Sequence, residues 1–224
     1  MPLRALPGLL KNQGASNFPP IVHMTVPDVS KLTRHQALSI SSWILLNPLH
    51  TLLIYGDEDV HNVISRHFPQ HLDTFKKLES PVERTDLWRY LVLCAFGGVY
   101  ADSDVIAAVP INAWHAIWEP GVNLVVGLEN LFRTEAEASH RGYARQVQWA
   151  QWTLAGGRNH PTVCGMGQLI QMHMNDEKAG KFLNRNWTTD RAILERTGPG
   201  IWTDALEKYF NSTMITGLPL PQVF

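Results

Sequence analysis

Cysteine is scarce in this chain, its charge is nearly balanced, and no apolar run is long enough to cross a bilayer. With only Cys94 and Cys164 present, a disulfide framework of the kind that staples small secreted domains is excluded. Cys94 lies within Leu91-Val92-Leu93-Cys94-Ala95-Phe96, so a buried, inert thiol is expected there. The 19 basic and 20 acidic residues leave a formal net charge of -1. They are scattered along the chain and offer no basic footprint for a phosphate backbone, so nucleic acid is not expected as a partner. No stretch approaches the roughly 20 apolar residues of a spanning helix, and no membrane-spanning segment is expected. Met1 to Leu10 is too short and too interrupted by proline for a signal peptide or anchor of the usual form. No internal repeat and no low-complexity tract occurs.

What is present is a globular composition. Apolar residues make up 45% of the 224 and charged residues 17%, enough to bury one full core. A flexible tail is expected over residues 1–17 and a single domain over 18–224. The 8 Trp supply flat apolar faces with one donor each, suited to cores and to sugar rings. Asn186-Trp187-Thr188 and Asn211-Ser212-Thr213 are glycosylation sequons, usable if the chain enters the secretory pathway.

Short apolar runs alternate with amphipathic segments, which predicts an α/β domain. Pro19-Pro20 precede a short buried strand at Ile21-Val22-His23-Met24, and Leu52-Leu53-Ile54-Tyr55 is a second, ended by Gly56-Asp57. A helix is expected between them over Leu32 to Trp43. Strand, helix, strand implies parallel pairing, with ligands at the carboxyl ends of the strands, so His23 and Gly56-Asp57 are expected to face the site. Ser80-Pro81-Val82-Glu83 is a capping box with proline at the first helical position, predicting a helix from about residue 81 that Gly97-Gly98 stops. Leu87, Tyr90, Leu91 and Cys94 form its core stripe, and Asp86 and Arg89 lie three apart on a neighbouring face. The strand Val99-Tyr100-Ala101 then delivers Asp102-Ser103-Asp104. Further on, a strand is expected at Leu124 to Glu129, a helix over Arg145 to Leu154, and a tight loop at Thr197-Gly198-Pro199-Gly200 leading into a helix whose first backbone donors could meet an anion.

Two carboxylates separated by one residue can converge on an oxygen-coordinated Mn²⁺ or Mg²⁺, leaving positions for phosphate oxygens and water. Such a metal neutralises the charge that builds on a departing diphosphate. Asp102 and Asp104, at a strand end, fit that need. The other acidic triplet, Asp57-Glu58-Asp59, is assigned to a solvated turn. A carboxylate at Asp86 could accept bonds from sugar or ribose hydroxyls, and the Arg89 guanidinium would add charge near the diphosphate. Asp102-Ser103-Asp104-Val105-Ile106 after an apolar strand also resembles the nucleophile loop of haloacid dehalogenase-like phosphatases, although the later lysine and acidic pair of that pattern are lacking.

Pro20-Ile21-Val22-His23, Glu83-Arg84-Thr85-Asp86-Leu87-Trp88-Arg89-Tyr90 and Gly97-Gly98-Val99-Tyr100-Ala101-Asp102-Ser103-Asp104 together resemble the DXD-containing sugar-transferase region of glycosyltransferase family 32. Gln148-Trp149-Ala150-Gln151-Trp152-Thr153 and Thr197-Gly198-Pro199-Gly200-Ile201-Trp202-Thr203-Asp204 are similar, more narrowly, to fungal Golgi initiating α-1,6-mannosyltransferases. The resemblance spans about residues 19 to 210. It implies a GT-A-like, Rossmann-like nucleotide-sugar-binding fold with a mixed, mostly parallel central sheet and helices on both faces. It also implies a GDP-mannose donor, Mn²⁺ (or Mg²⁺) dependence, retention of anomeric configuration, a glycan or glycoprotein acceptor in protein N-glycosylation, and a Golgi-lumen location. Donor contacts are implied at His23, Tyr55, Asp86, Arg89, Tyr100, Asp102, Gly198 and Gly200, with Asp86, Arg89, Asp102 and Asp104 catalytic and Asp102 and Asp104 on the metal. Family members usually continue past the position of Phe224 and carry an anchor before the catalytic domain. A domain truncated at its carboxyl end is therefore expected, and two alternatives stand beside the enzyme: a shortened, non-catalytic partner in a transferase complex, and a cytoplasmic location.

Overall fold

The computed structural model describes residues 17–175 and 189–216. The tail expected over 1–17, Asn17 apart, and the Asn186 sequon lie outside the described residues, whereas Asn211 is exposed on the last helix. Strand β1 (Ile21–Thr25) leads through helix α1 (Arg34–Leu46) to β2 (Thr51–Tyr55). Helices α2 (Asp57–His67), α3 (Leu72–Lys77) and α4 (Pro81–Phe96) precede β3 (Gly98–Ala101). A long connection crosses to β4 (Leu124–Leu131), and α5 (Glu135–His140) leads to β5 (Val147–Gly156). Helices α6 (Pro161–Asn175), α7 (Thr189–Arg196) and α8 (Pro199–Thr216) follow.

The sheet runs β2-β1-β3-β5-β4. β2, β1 and β3 are parallel, and β5 is antiparallel to both β3 and β4. The result is the expected mixed α/β sheet. Leu87, Leu93, Leu154 and Trp202 belong to one core, under α4, α6 and α8; Val22, Met24, Ile40 and Trp43 belong to the other, under α1. No helix among the described residues is long and apolar enough to cross a membrane.

Local chemistry sets the boundaries that position the cleft. Ser80 and Glu83 close the expected capping box, with Pro81 opening α4. At the other end Gly97 and Gly98 take φ of 65° and 100°, conformations that an L side chain rarely adopts. A Cβ at Gly98 would stand 2.5 Å from the carbonyl oxygen of Ile21. Only glycine lets β3 leave the helix so abruptly and still pair with β1.

Three expectations are corrected. Residues 147–156 form a strand, not a helix: Trp149 belongs to the core beneath α4 and α8, while the next residue but two, Trp152, is 39% exposed. Trp149 lies in that core and Gln151, two residues on, bonds to Tyr90 of α4, so residues two apart share a face as a strand requires. Asp57-Glu58-Asp59 is no free turn but the first turn of α2, where Asp59 accepts the Gly56 N–H at 3.0 Å and the acidic side chains meet the positive helix end. The cysteines are not thiols either: Cys94 of α4 and Cys164 of α6 form a disulfide, because the two helices pack side by side and bring residues 70 apart in sequence to a Cα separation of 4.9 Å.

Candidate functional site

Helix α4 and the end of β3 meet at a guanidinium. Arg89 Nη1 donates to Asp86 Oδ1 at 2.6 Å, and Nη2 donates to Asp102 Oδ1 at 2.9 Å. The Tyr100 hydroxyl donates to the same Asp102 oxygen at 2.7 Å, and the Arg89 guanidinium carbon lies 5.1 Å from the centre of the Tyr100 ring. Asp86 is enclosed and saturated. Gln151 Nε2 donates to its Oδ1 at 3.2 Å and the Thr197 hydroxyl to its Oδ2 at 2.7 Å, while Tyr90 OH donates to Gln151 Oε1 at 2.7 Å and so orients that amide. Burial pushes the Asp86 carboxyl above its ordinary range, against the pull of Arg89 and Thr197. Burial also opposes the charge on Arg89, but Asp102 and Asp86 overcome it and hold the guanidinium protonated.

Above this network opens a cleft of about 520 Å³, at the carboxyl ends of β1 and β3, with Thr25, Asp57, Thr85, Arg89, Asp102, Ser103 and Asp104 among its walls. The His35 ring bonds to the Asp104 carbonyl at 2.8 Å, and Gln36 Nε2 to Ser103 Oγ at 3.4 Å. Helix α1 thereby fixes the backbone that carries both aspartates.

The walls hold three carboxylates, Asp57, Asp102 and Asp104, against one guanidinium already shared with Asp86. A diphosphate would be repelled from such a surface unless a cation joined it. Asp102 has committed Oδ1 to Arg89 and Tyr100, and none of the described residues bonds its Oδ2. The exposed Asp104 carboxylate has no hydrogen-bond partner among the described residues. No group of three or more metal-ligating side chains forms among them. Two hard oxygen donors on one wall therefore suit a partly bound ion that takes its remaining ligands from phosphate and water.

Several expected contacts are relocated. His23 is fully buried rather than facing the cleft. Its ring nitrogens bond to the Gly97 carbonyl at 2.9 Å and to the Tyr55 hydroxyl at 3.0 Å, and burial lowers its pKa to about 4 despite the Gly97 bond. Tyr55, stacked edge-on against Trp88, is likewise no part of the cleft wall. Both brace the strand ends from beneath. Gly198 and Gly200 also stand away from it: a Cβ on either would meet the Leu194 backbone at 2.8 Å, so these glycines serve the close packing of α7 on α8. Their loop reaches the network through Thr197 instead. Thr197, Gln151 and Tyr90 escape sequence reasoning because they come from three elements far apart in the chain. Arg196, whose Nε donates to Glu83, likewise ties α7 to the start of α4.

A five-stranded mixed sheet with a DXD pair at the end of a parallel strand, beside a cleft, has the form of the GT-A-like α/β fold of glycosyltransferases. The chain superimposes on the solved PaToxG glycosyltransferase with a TM-score of 0.55 at 17% identity, over 92% of this chain and 80% of the other. Residues 33–117 match the family described as glycosyltransferase sugar-binding region containing DXD motif, and the chain belongs to that family. It is 30% identical over 176 residues to the initiation-specific α-1,6-mannosyltransferase of Schizosaccharomyces pombe, covering 75% of this chain and 43% of that protein. It is also 30% identical over 196 residues to the enzyme of the same name from Candida albicans, covering 82% and 49%. The chain thus spans less than half the length of these curated relatives.

Proposed function

We propose that this chain transfers a mannosyl residue from GDP-mannose to a glycan or glycoprotein acceptor, forming an α-1,6 linkage with retention of configuration, in protein N-glycosylation. The observation that carries this reading is that Asp102 and Asp104 line one cleft, beside the buried Arg89 that Asp86 holds in place. The names of the relatives support the sugar and the linkage.

Asp102 Oδ2 and the Asp104 carboxylate would hold Mn²⁺ or Mg²⁺, which supplies positive charge to the leaving diphosphate. Arg89 keeps a fixed, permanently charged fork at the cleft floor, paired on one side with Asp86 and on the other with Asp102. Asp86, its oxygens filled by protein donors, acts through Arg89 rather than on the sugar. During transfer the acceptor oxygen bonds to the anomeric carbon as the bond from that carbon to the phosphate oxygen breaks, and the acceptor proton leaves with the diphosphate. The Cys94–Cys164 disulfide supports an oxidising compartment, in accord with the lumen of the Golgi.

Calorimetry with GDP, in the presence and absence of Mn²⁺, together with a GDP-mannose transfer assay, tests the reading. Metal-dependent GDP binding is expected, along with turnover that Asp104→Ala lowers by about 100-fold or more, since it removes charge stabilisation present at the reacting bond. GDP binding indifferent to metal, or turnover that survives Asp104→Ala, would overturn it. So would tight metal-dependent binding with no turnover at all.

A further inference from the structure

The turn from α7 into α8 is Thr197-Gly198, and it is held from several sides. Arg145, just before β5, donates through Nη1 and Nη2 to Glu195 at 3.0 and 2.9 Å, and through Nε and Nη2 to Asp204 at 2.7 Å each. One guanidinium thereby clasps the last turn of α7 to α8. Within the turn the Thr197 and Gly198 N–H groups both donate to the Ile193 carbonyl, at 3.1 and 3.0 Å. Helix α8 is fixed on β5 in its turn, since the Trp202 indole donates to the Ala150 carbonyl and the Trp149 N–H to the Thr203 hydroxyl, both at 3.1 Å. None of these bonds involves Asp86. The position of Thr197 is therefore set by the scaffold, which is what a side chain needs if it is to orient another.

Thr197 is fully buried, and its hydroxyl donates to Asp86 Oδ2 at 2.7 Å. The two oxygens of that carboxylate are not equivalent. Oδ1 accepts from Arg89 Nη1 at 2.6 Å and from Gln151 Nε2 at 3.2 Å, whereas Oδ2 has Thr197 as its one hydrogen-bond partner among the described residues. A buried carboxylate oxygen left without a donor is costly. The neighbouring guanidinium has a donor in reserve, because the buried Arg89 Nε has no partner among the described residues. Without the hydroxyl, Asp86 would turn its second oxygen onto Arg89, toward the two-point pairing that carboxylate and guanidinium favour. That rotation would draw the fork off Asp102, which it now holds through Nη2 at 2.9 Å.

We infer that Thr197 is a positioning residue of the donor site: its hydroxyl keeps Asp86 on one nitrogen of Arg89, and so keeps the other nitrogen on Asp102 at the cleft. Residues far along the chain thus reach the diphosphate end of the site through two intermediaries, without touching the cleft. Valine has nearly the shape of threonine and no donor, while serine has the donor and no methyl group. The pair of substitutions separates a hydroxyl that orients from a side chain that fills space. The inference rests on the transferase reading where it gives Arg89 a diphosphate to meet, but the state of the guanidinium is observable in the protein alone.

Nitrogen NMR of the arginine side chains in the full chain reads the fork directly, with Arg89→Lys identifying the Arg89 signals. Thr197→Val should shift those signals, and Thr197→Ser should leave them near their wild-type positions, with thermal melting as the check on folding. Should the valine variant not fold, Thr197→Ala carries the same expectation. In calorimetry with GDP and Mn²⁺, Thr197→Val should weaken binding by about tenfold, the scale of one hydrogen bond to a charged group, and Thr197→Ser should restore it. In transfer assays the valine variant should raise the GDP-mannose KM by a similar factor while the acceptor KM stays in place. Unmoved Arg89 signals or unchanged GDP affinity in Thr197→Val would overturn the assignment, as would serine behaving like valine. Arg89 signals that move in valine and return in serine, in a protein whose wild type binds no GDP, would leave the positioning role standing and sink the transferase reading alone.

Discussion

Arg89 is the residue on which the site converges, and its planar fork explains why lysine could not replace it. One arm holds Asp86 and the other Asp102, so a single-point ammonium would leave one carboxylate buried beside an unmatched space. Breaking such a buried pair costs about 3 kcal/mol or more. Arg89→Lys is therefore expected to lower urea-unfolding stability by that order and to reduce metal-dependent GDP binding as well; normal stability and binding would show the bridge to be dispensable. His23 carries a different prediction. Burial holds its pKa near 4, below its ordinary 6.5, so the unfolded chain takes up a proton there before the native one does. Its contribution to stability is complete above about pH 6.5 and is lost as pH falls toward 4, amounting to about 2 kcal/mol between pH 7 and 5. The difference between wild type and His23→Asn isolates it, because Asp86, whose raised pKa acts in the opposite sense, is common to both. Parallel pH profiles for the two proteins would refute the assignment.

At the scale of elements, the turn from α4 into β3 is where the sequence was most legible and where one atom matters most. The capping box, Pro81 and the paired glycines are local signals, and each appears in the structure at its expected position. Gly98→Ala forces a Cβ toward the Ile21 carbonyl at a φ that alanine resists. A loss of about 3 kcal/mol is expected in urea unfolding, from backbone strain and from displaced β1–β3 pairing; a variant as stable as wild type would show that the strands can shift to accommodate it. Residues 147–156 show the opposite case. Arg145 to Leu154 has the length of a helix, Gln148-Trp149-Ala150-Gln151-Trp152 within it has no strict alternation of apolar and polar residues, and only the neighbouring strands reveal its period of two. Asp86, Arg89, Asp102 and Asp104 are picked out by spacing together with the family resemblance, because they sit in α4 and just after β3, neighbours in the chain. Thr197 and Gln151 are not, since their meeting with Asp86 depends on how α8 and β5 dock on α4. His23 was misplaced for a related reason: its position in the strand was right, but the face on which it lies is decided by the packing of Tyr55 and Gly97.

For the whole molecule, the disulfide makes a claim about the medium in which the fold is stable. It joins α4, which carries Asp86 and Arg89, to α6, and closes a loop of 70 residues that includes β3, β4 and β5. In the chain-entropy account a loop of that length contributes about 4 kcal/mol through the unfolded state. That is a large part of the 5–15 kcal/mol expected for a domain. Replacing Cys94 and Cys164 by alanine together, or reducing the native protein, should lower the unfolding free energy by about that amount. Because α4 is also held by its core and by Arg196 at Glu83, metal-dependent GDP binding is expected to survive in the fraction that stays folded. Two free thiols in protein purified from an oxidising compartment, or equal stability with and without reductant, would remove the disulfide from the account. With it would go the structural support for a lumenal location, while the aspartate cleft would be untouched.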